Sequence, residues 1–295
     1  MAVELDTQTT IVKQAGEKPW HDFWRRFRRN RAAMVGLVIL AVILVVSLFP
    51  GWFAPYDYKT NNMMESLQSP SFKHLLGTDE IGRDILSRII YGAGLSLRVG
   101  VEAVFLSLLI GIILGALAGY YGGFIDNFIM RIMDIMLAFP ALLLAIAFMA
   151  VLGRGLDNAI IAIGIVCIPE YARIVRGSVL SVKENEYVQA AKAIGNRDYQ
   201  IILYHILPNV MAPIIVRATL GISGAILEAA GLGFLGLGVQ PPEAEWGAML
   251  GSGRSAIFSA PHIITFPGIA ITITVLSFNL LGDGLRDALD PRMKQ

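Results

Sequence analysis

The sequence predicts an all-α, polytopic membrane protein with about six transmembrane helices. Three observations predict it. Of 295 residues, 55% are hydrophobic and 16% charged, against about 25% charged in a soluble domain, and the mean hydropathy is +0.61. So little polar surface does not cover a water-exposed body, whereas lipid solvates an apolar exterior. Several stretches approach the roughly 20 apolar residues that cross a bilayer, and arginines cluster against the first of them.

The expected spans follow in order. Residues 33–53 carry no charge, and residues 99–121 carry only Glu102, near their start. The third span is 135–152. The fourth, 156–174, has a short charge-free centre and holds Pro169 and Glu170. The fifth, 210–232, contains Arg217 and Glu228, and the sixth is 263–281. Pro140 and Pro169 each remove a backbone donor and can bend spans three and four.

Basic residues set the orientation. Arg25, Arg26, Arg28, Arg29 and Arg31 directly precede span one, which places the N-terminus in the cytoplasm. Alternation then puts the loop with Arg176, Lys183, Lys192 and Arg197 on the same side, with the tail of Arg286, Arg292 and Lys294. The outer loops hold fewer basic residues for their length. The organisation read this way is a cytoplasmic segment 1–32, a first helix 33–53, an outer segment 54–98, a core 99–284 and a cytoplasmic tail 285–295. The core includes an inner loop 176–208 and an outer loop 233–262. Glu4, Asp6, Glu17 and Asp22 crowd the start, so the first apolar run reads as an uncleaved span.

Composition excludes several classes. A net charge of +1 gives no field for nucleic acid. The single cysteine, Cys167, forms no intrachain disulfide, and the four histidines show no ligand spacing, so no metal site is expected. No phosphate-binding loop of the Gly-x-x-x-x-Gly-Lys-Ser/Thr type exists. No nucleophile, acid–base or metal constellation converges, so an enzyme is disfavoured.

Two stripes stand out inside the spans. Gly111, Gly115 and Gly119 share one helix face, where small residues let a neighbouring backbone approach. Arg217, Gly221, Gly224 and Glu228 fall within a narrow sector of span five. Charge in hydrocarbon is costly, so both charged groups face protein or water. They serve either an ion pair with a neighbouring helix or the lining of a route.

The inner loop is the most informative segment. Residues 186–194 are good helix formers, Gly195-Asn196 resembles a C-cap, and a second short helix is expected to end near Pro208. This helix–turn–helix projects like a plug. On the outer side, Gly77-Thr78-Asp79 is turn chemistry, and Thr78 or Asp79 is a candidate N-cap. Arg83, Asp84 and Arg88 offer charge pairing there.

Ala190-Ala191, Gly195 four residues on, and Leu207-Pro208 resemble the EAA loop of ABC-importer permeases, with Gln189 in place of the motif's glutamate. Three further motifs resemble the C-type permeases of the dipeptide and oligopeptide importers. They are His74-Leu-Leu-Gly77-Thr78-Asp79 with Gly82-Arg83-Asp84; Gly231 to Pro242 with Trp246-Gly247; and Asn279 to Pro291. The resemblance implies an ABC type I importer permease fold. It implies a coupling helix docking on an ATPase through Gln189, Ala190, Ala191, Gly195, His205, Leu207 and Pro208. It further implies a translocation path along Arg217, Gly221, Gly224 and Glu228. A binding-protein contact at Asp79, Arg83 and Asp84 is one reading of the outer segment; a seal over the mouth is the other. Implied partners are a paralogous second permease, two ATP-binding subunits, a solute-binding protein and the bilayer. No cofactor is expected on this chain, with ATP and magnesium on the partners. Peptide cargo is the first expectation, and glutathione or nickel the alternatives. An ion-coupled secondary transporter using Glu102, Arg217 or Glu228, and a purely structural subunit, are the rival classes.

Overall fold

The computed structural model describes residues 19–289. Glu4, Asp6, Glu17, Asp290, Pro291, Arg292 and Lys294 lie outside the described residues. Every extended element among those described is helical.

Helix α1, Pro19–Arg29, is amphipathic and basic. Its Phe27 is buried against Ala33 and Ala288. Asn30 ends it and caps α2, Arg31–Leu48, by accepting from the Ala33 amide at 3.1 Å. Only Ala33 and Gly36 of α2 are fully buried; Met34, Leu37 and Ile43 pack partly against the bundle, and the exposed Val35, Val38, Val42 and Val45 suit lipid contact. The predicted 33–53 span breaks at Phe49, before the single turn Pro50–Phe53, because proline disfavours helical backbone in the residue before it.

Helix α3, Ile85–Tyr121, is far longer than the predicted 99–121. Its buried positions Ser96, Gly100, Ala103, Ser107, Gly111, Gly115 and Gly119 recur every three or four residues on one stripe. From Ala103 to Gly119 that stripe receives α6, Leu156–Val182, in the most extensive helix pairing of the fold, while Gly100 above it meets Ile222 and Ile226. A Cβ on Gly111 would lie 2.5 Å from the Tyr171 Cβ. On Gly115 it would lie 2.5 Å from the Ala172 carbonyl oxygen, and on Gly119 2.8 Å from the Val179 Cβ. The close packing expected of these glycines is what they do. Ser107 donates to the Ala103 and Gly164 carbonyls at 2.6 and 2.8 Å. Pro169 sits inside α6 without ending it.

The third predicted span, 135–152, is not one helix. Gly123–Leu137, α4, and Ala141–Leu152, α5, meet at 94°. Pro140 has no N–H and restrains Phe139, so the backbone turns there. At twelve residues α5 is about 18 Å long, short of a bilayer core. Asp126 and Asp134 of α4 pair with Arg176 and Arg173 of α6. Among the described residues, five helices are by length and composition able to cross a membrane, or six if the bent pair counts as one span.

After α6 comes α7, Glu186–Ala193. The chain then runs helically from Asp198 to Phe234, of which Leu207–Phe234 is α8. No helix ends at Pro208, contrary to the sequence expectation. Residues Ile201–Ile206 adopt the wider π turn, in which the Leu207 amide reaches back to the Ile202 carbonyl. The helix thereby passes through a residue that offers no N–H. The last elements are α9, Trp246–Ser252, and α10, His262–Leu289, the latter packed on α2 and α8.

The main core joins α3, α5, α6 and α8 around Val99, Ala103, Met149, Ile163, Tyr171 and Ala225. Val38, Phe105 and Val151 are more than half exposed on the outside, as lipid contact requires.

Candidate functional site: a coupling hairpin, a charged stripe and a cap

The bundle has two distinct ends. Helix α3 begins at one, under residues 54–84, and finishes at the other, where Tyr120 donates to Asp198 at 2.7 Å and lies under Lys192.

The hairpin end carries α7. Val188 and Ala191 are buried against Val175, Val179, Ile201, Ile206 and Val210. Gly195 closes the helix at φ +87°, a conformation that residues with a Cβ rarely adopt. Its amide and that of Asn196 return to the Lys192 and Ala191 carbonyls, at 3.0 and 3.1 Å. Gln189 donates to the Lys183 carbonyl at 3.2 Å. His205 meets Asn196 at 3.3 Å, and Asn209 donates to the His205 carbonyl at 2.7 Å. Ala191 anchors the hairpin and Leu207 packs against the same core. Gln189, Ala190, Gly195 and Pro208 lie outside it, exposed. Sequence reasoning missed the apolar tip: Ile194 is 79% exposed and Tyr204 71%. The spacing of Tyr187, Ala190 and Ile194 is the signal that would have found it.

The charged stripe of α8 divides. Arg217 forms an ion pair with Glu170 of α6. A Cβ on Gly221 would meet the Tyr171 hydroxyl. Glu228 lies 3.9 Å from the Cys167 Sγ. These three face α6, whereas Gly224 is exposed, with nothing within 4 Å of an added Cβ. Arg217 also lines a cleft of about 450 Å³ with Ile174, Pro213, Leu220 and Arg286. The ion pair and the cleft therefore coexist.

The opposite end is a cap formed by residues 54–84 and 236–261. Asp84 is the N-cap of α3, accepting from the Ser87 amide at 2.8 Å; the candidates Thr78 and Asp79 are not. Thr78 instead bridges back to Asp84, placed there by the Gly82 turn. A side chain on Gly82 would strike the Asn62 carbonyl. Asp79 accepts from Arg83 at 2.6 Å and lies 3.7 Å from Arg88. His74 sits between Asp84 at 2.9 Å and Glu65 at 3.2 Å. Asp79, Arg83 and Asp84 are all buried, so these side chains build the cap from within. Exposed apolar residues of this end include Met63, Met64, Phe72, Leu75 and Phe258.

Glu245 ties the cap to the bundle. It accepts from the Gly247 and Ala248 amides, each at 2.8 Å, and from Ser96 of α3 at 3.2 Å. Burial pushes its carboxyl up from the ordinary value, and these donors pull it back. Arg88 spans the two cap segments, donating to the carbonyls of Tyr58 at 3.1 Å and Glu243 at 3.3 Å.

A broken span, a close-packed helix pair and a projecting hairpin define a multi-pass permease of the ABC type I importer fold. An inward-facing methionine ABC transporter, MetNI, shares that fold: the TM-score is 0.58 at 18% identity, over 70% of this chain and 98% of that one. Residues 111–295 match the family described as binding-protein-dependent transport system inner membrane component, and residues 18–70 match the N-terminal TM domain of oligopeptide transport permease C. The chain belongs to that binding-protein-dependent family and is a permease subunit of an ABC importer. It is 53% identical to the dipeptide transport system permease protein DppC of Alkalihalophilus pseudofirmus, over 94% of this chain and 91% of the relative. It is 51% identical to the glutathione transport system permease protein GsiD of Escherichia coli O157:H7, over 98% and 96%. Membership answers the choice between ion-coupled and binding-protein-dependent transport in favour of the latter.

Proposed function

We propose that this chain forms half of the pathway by which short peptides enter a bacterial cell across its inner membrane. The other half is a paralogous permease. Two separate ATP-binding subunits, holding ATP and magnesium, supply the energy, and a solute-binding protein delivers the cargo. The observation that carries the reading is the 53% identity to a dipeptide permease along nearly the whole chain.

In this reading both termini and the hairpin end are cytoplasmic, as the arginines beside α2 and the basic hairpin favour. The cap end is outside. The tip around Ala190, Ile194 and Gly195 enters a groove on an ATPase subunit. Its closure on ATP moves the hairpin, and the continuous run Asp198–Phe234 carries that motion past Arg217, Gly224 and Glu228, which border the path. The binding protein rests on the exposed rim of Phe72, Leu75 and Phe258.

The test uses the complete transporter in proteoliposomes with loaded binding protein, reading dipeptide uptake and stimulated ATP hydrolysis. Ile194→Asp places a charge at the docking tip without touching the core. Both readouts should fall together by about tenfold, the effect of about 1.4 kcal/mol at a contact. Stimulated hydrolysis that survived the change would overturn the coupling role. Glutathione is a second reading, supported by the relatives at 51% identity. Competition between glutathione and a dipeptide for the same uptake decides between them.

A further inference from the structure

The cap holds a pocket of about 310 Å³ between the outer ends of α8 and α9, lined by Arg83, Arg88, Gln240, Glu243 and Arg254. Gly233, Gly236 and Gly251 bring bare backbone to its wall, so side chains fill little of it. Its charges do not balance. Arg83 and Arg88 share one carboxylate, Asp79. Glu243 is taken by Lys59 at 3.4 Å and by the Tyr58 hydroxyl at 3.1 Å. Glu80, in an adjoining cavity of about 130 Å³, accepts from Ser255. Arg254 is exposed and has no carboxylate partner among the described residues. Arg83 and Arg88 are less than a tenth exposed, and burial strengthens their field at the pocket.

An excess of guanidinium groups around a concave, glycine-walled site suits a planar anion, because guanidinium presents paired donors matched to a carboxylate. A phosphate lipid headgroup fits less well, since most of the lining, Arg83, Gln240, Glu243 and Arg254 included, comes from the cap segments. We propose that this pocket receives the free carboxylate of a peptide cargo as it leaves the binding protein, with Arg254 as the accessible contact and Arg83 and Arg88 supplying the field behind it. This rests on the peptide-import reading and adds a recognised chemical group and a place for it.

The complete transporter with its binding protein in proteoliposomes tests the idea, with radiolabelled alanyl-alanine and its C-terminal amide as probes. Every arm uses the same saturating, preloaded binding protein, so that protein's own preference cancels in comparisons between variants. Arg254 is exposed, so Arg254→Gln spares the core. The acid-to-amide uptake ratio should fall about three- to fivefold in Arg254→Gln, as for loss of one partly exposed ion pair, and Arg254→Lys should retain part of it. An unchanged ratio in a transporting complex overturns the proposal and leaves the import reading intact. Equal losses for both probes, together with weaker docking of the empty binding protein, assign the arginine to an acidic group of that partner and also overturn it. Failure of the unsubstituted complex to take up either probe with ATP sinks the peptide reading itself.

Discussion

Substituting Gly115 by alanine adds one methyl at one of the two tightest points of the α3–α6 contact. That methyl would stand 2.5 Å from the Ala172 carbonyl oxygen and 2.7 Å from the Val175 Cβ. Both belong to the partner helix at or next to its backbone, so no flexible side chain can swing aside, and the helices must part by the better part of an ångström. Such overpacking costs about 1–3 kcal/mol. Alanine's higher helix propensity returns about 1 kcal/mol, so the net loss is about 1 kcal/mol and at most about 2. Gly177, on α6, is the control, because nothing lies within 4 Å of its added Cβ; Gly177→Ala should be neutral or slightly stabilising. Thermal unfolding of the detergent-solubilised chain measures both. Gly115→Ala should lower Tm by about 2–4 °C per kcal/mol while Gly177→Ala does not. Equal or higher stability for Gly115→Ala would refute the claim that backbone proximity, rather than helix propensity, decides this position.

Two further outcomes are expected. Glu170→Gln and Arg217→Gln should each destabilise the chain by about 1–2 kcal/mol, with a coupling of about 1 kcal/mol in the double variant; strictly additive effects in denaturant unfolding would dissolve the pair. The hydrogen bonds from Lys73 and then His74 hold the Glu65 carboxyl below its ordinary 4.5, so its stabilising effect is complete above that value and is lost as pH falls through the lower folded one. Amides of residues 62–85 should lose protection, corrected for intrinsic rates, as the pH falls below that ordinary value. Glu65→Gln should abolish that dependence, and an acid response unaltered in this variant would assign it elsewhere.

The readable parts of the fold were those whose cause is local. Gly111, Gly115 and Gly119 announced a close contact because spacing of four and absence of side chains have one simple use inside a span. Gly195 announced a helix end because its left-handed backbone is seldom open to other residues. The start of α3 was misread because Ser87, Arg88, Ser96 and Arg98 dilute the hydropathy of residues 85–98. They are helical because tertiary contacts hold them: Trp246 donates to the Ile89 carbonyl at 3.0 Å, and Ser96 binds Glu245. The choice of Asp84 over Asp79 as cap depended on a loop folding back so that Thr78 faces Asp84, and no short window contains that information. The pairs Asp126–Arg176 and Glu170–Arg217 join residues about fifty positions apart, and each partner was visible while the pairing was not. The burial of Asp79, Arg83 and Asp84 was hidden for a related reason: charge on a loop resembles exposure until burial is known.

The unbroken run from Asp198 to Phe234 touches both ends of the molecule, with Ile201 and Ile206 in the hairpin core and Gly233 beside Gly247 and Ala248 of the cap. Its 37 residues measure about 55 Å at 1.5 Å per residue. In the coupling role proposed above it would act as a lever between two loads: a rigid tilt of about 5° about its middle would displace each tip by about 2.4 Å, in opposite directions. A push received at one surface of the membrane would arrive at the other as a pull, without any residue between them changing its fold.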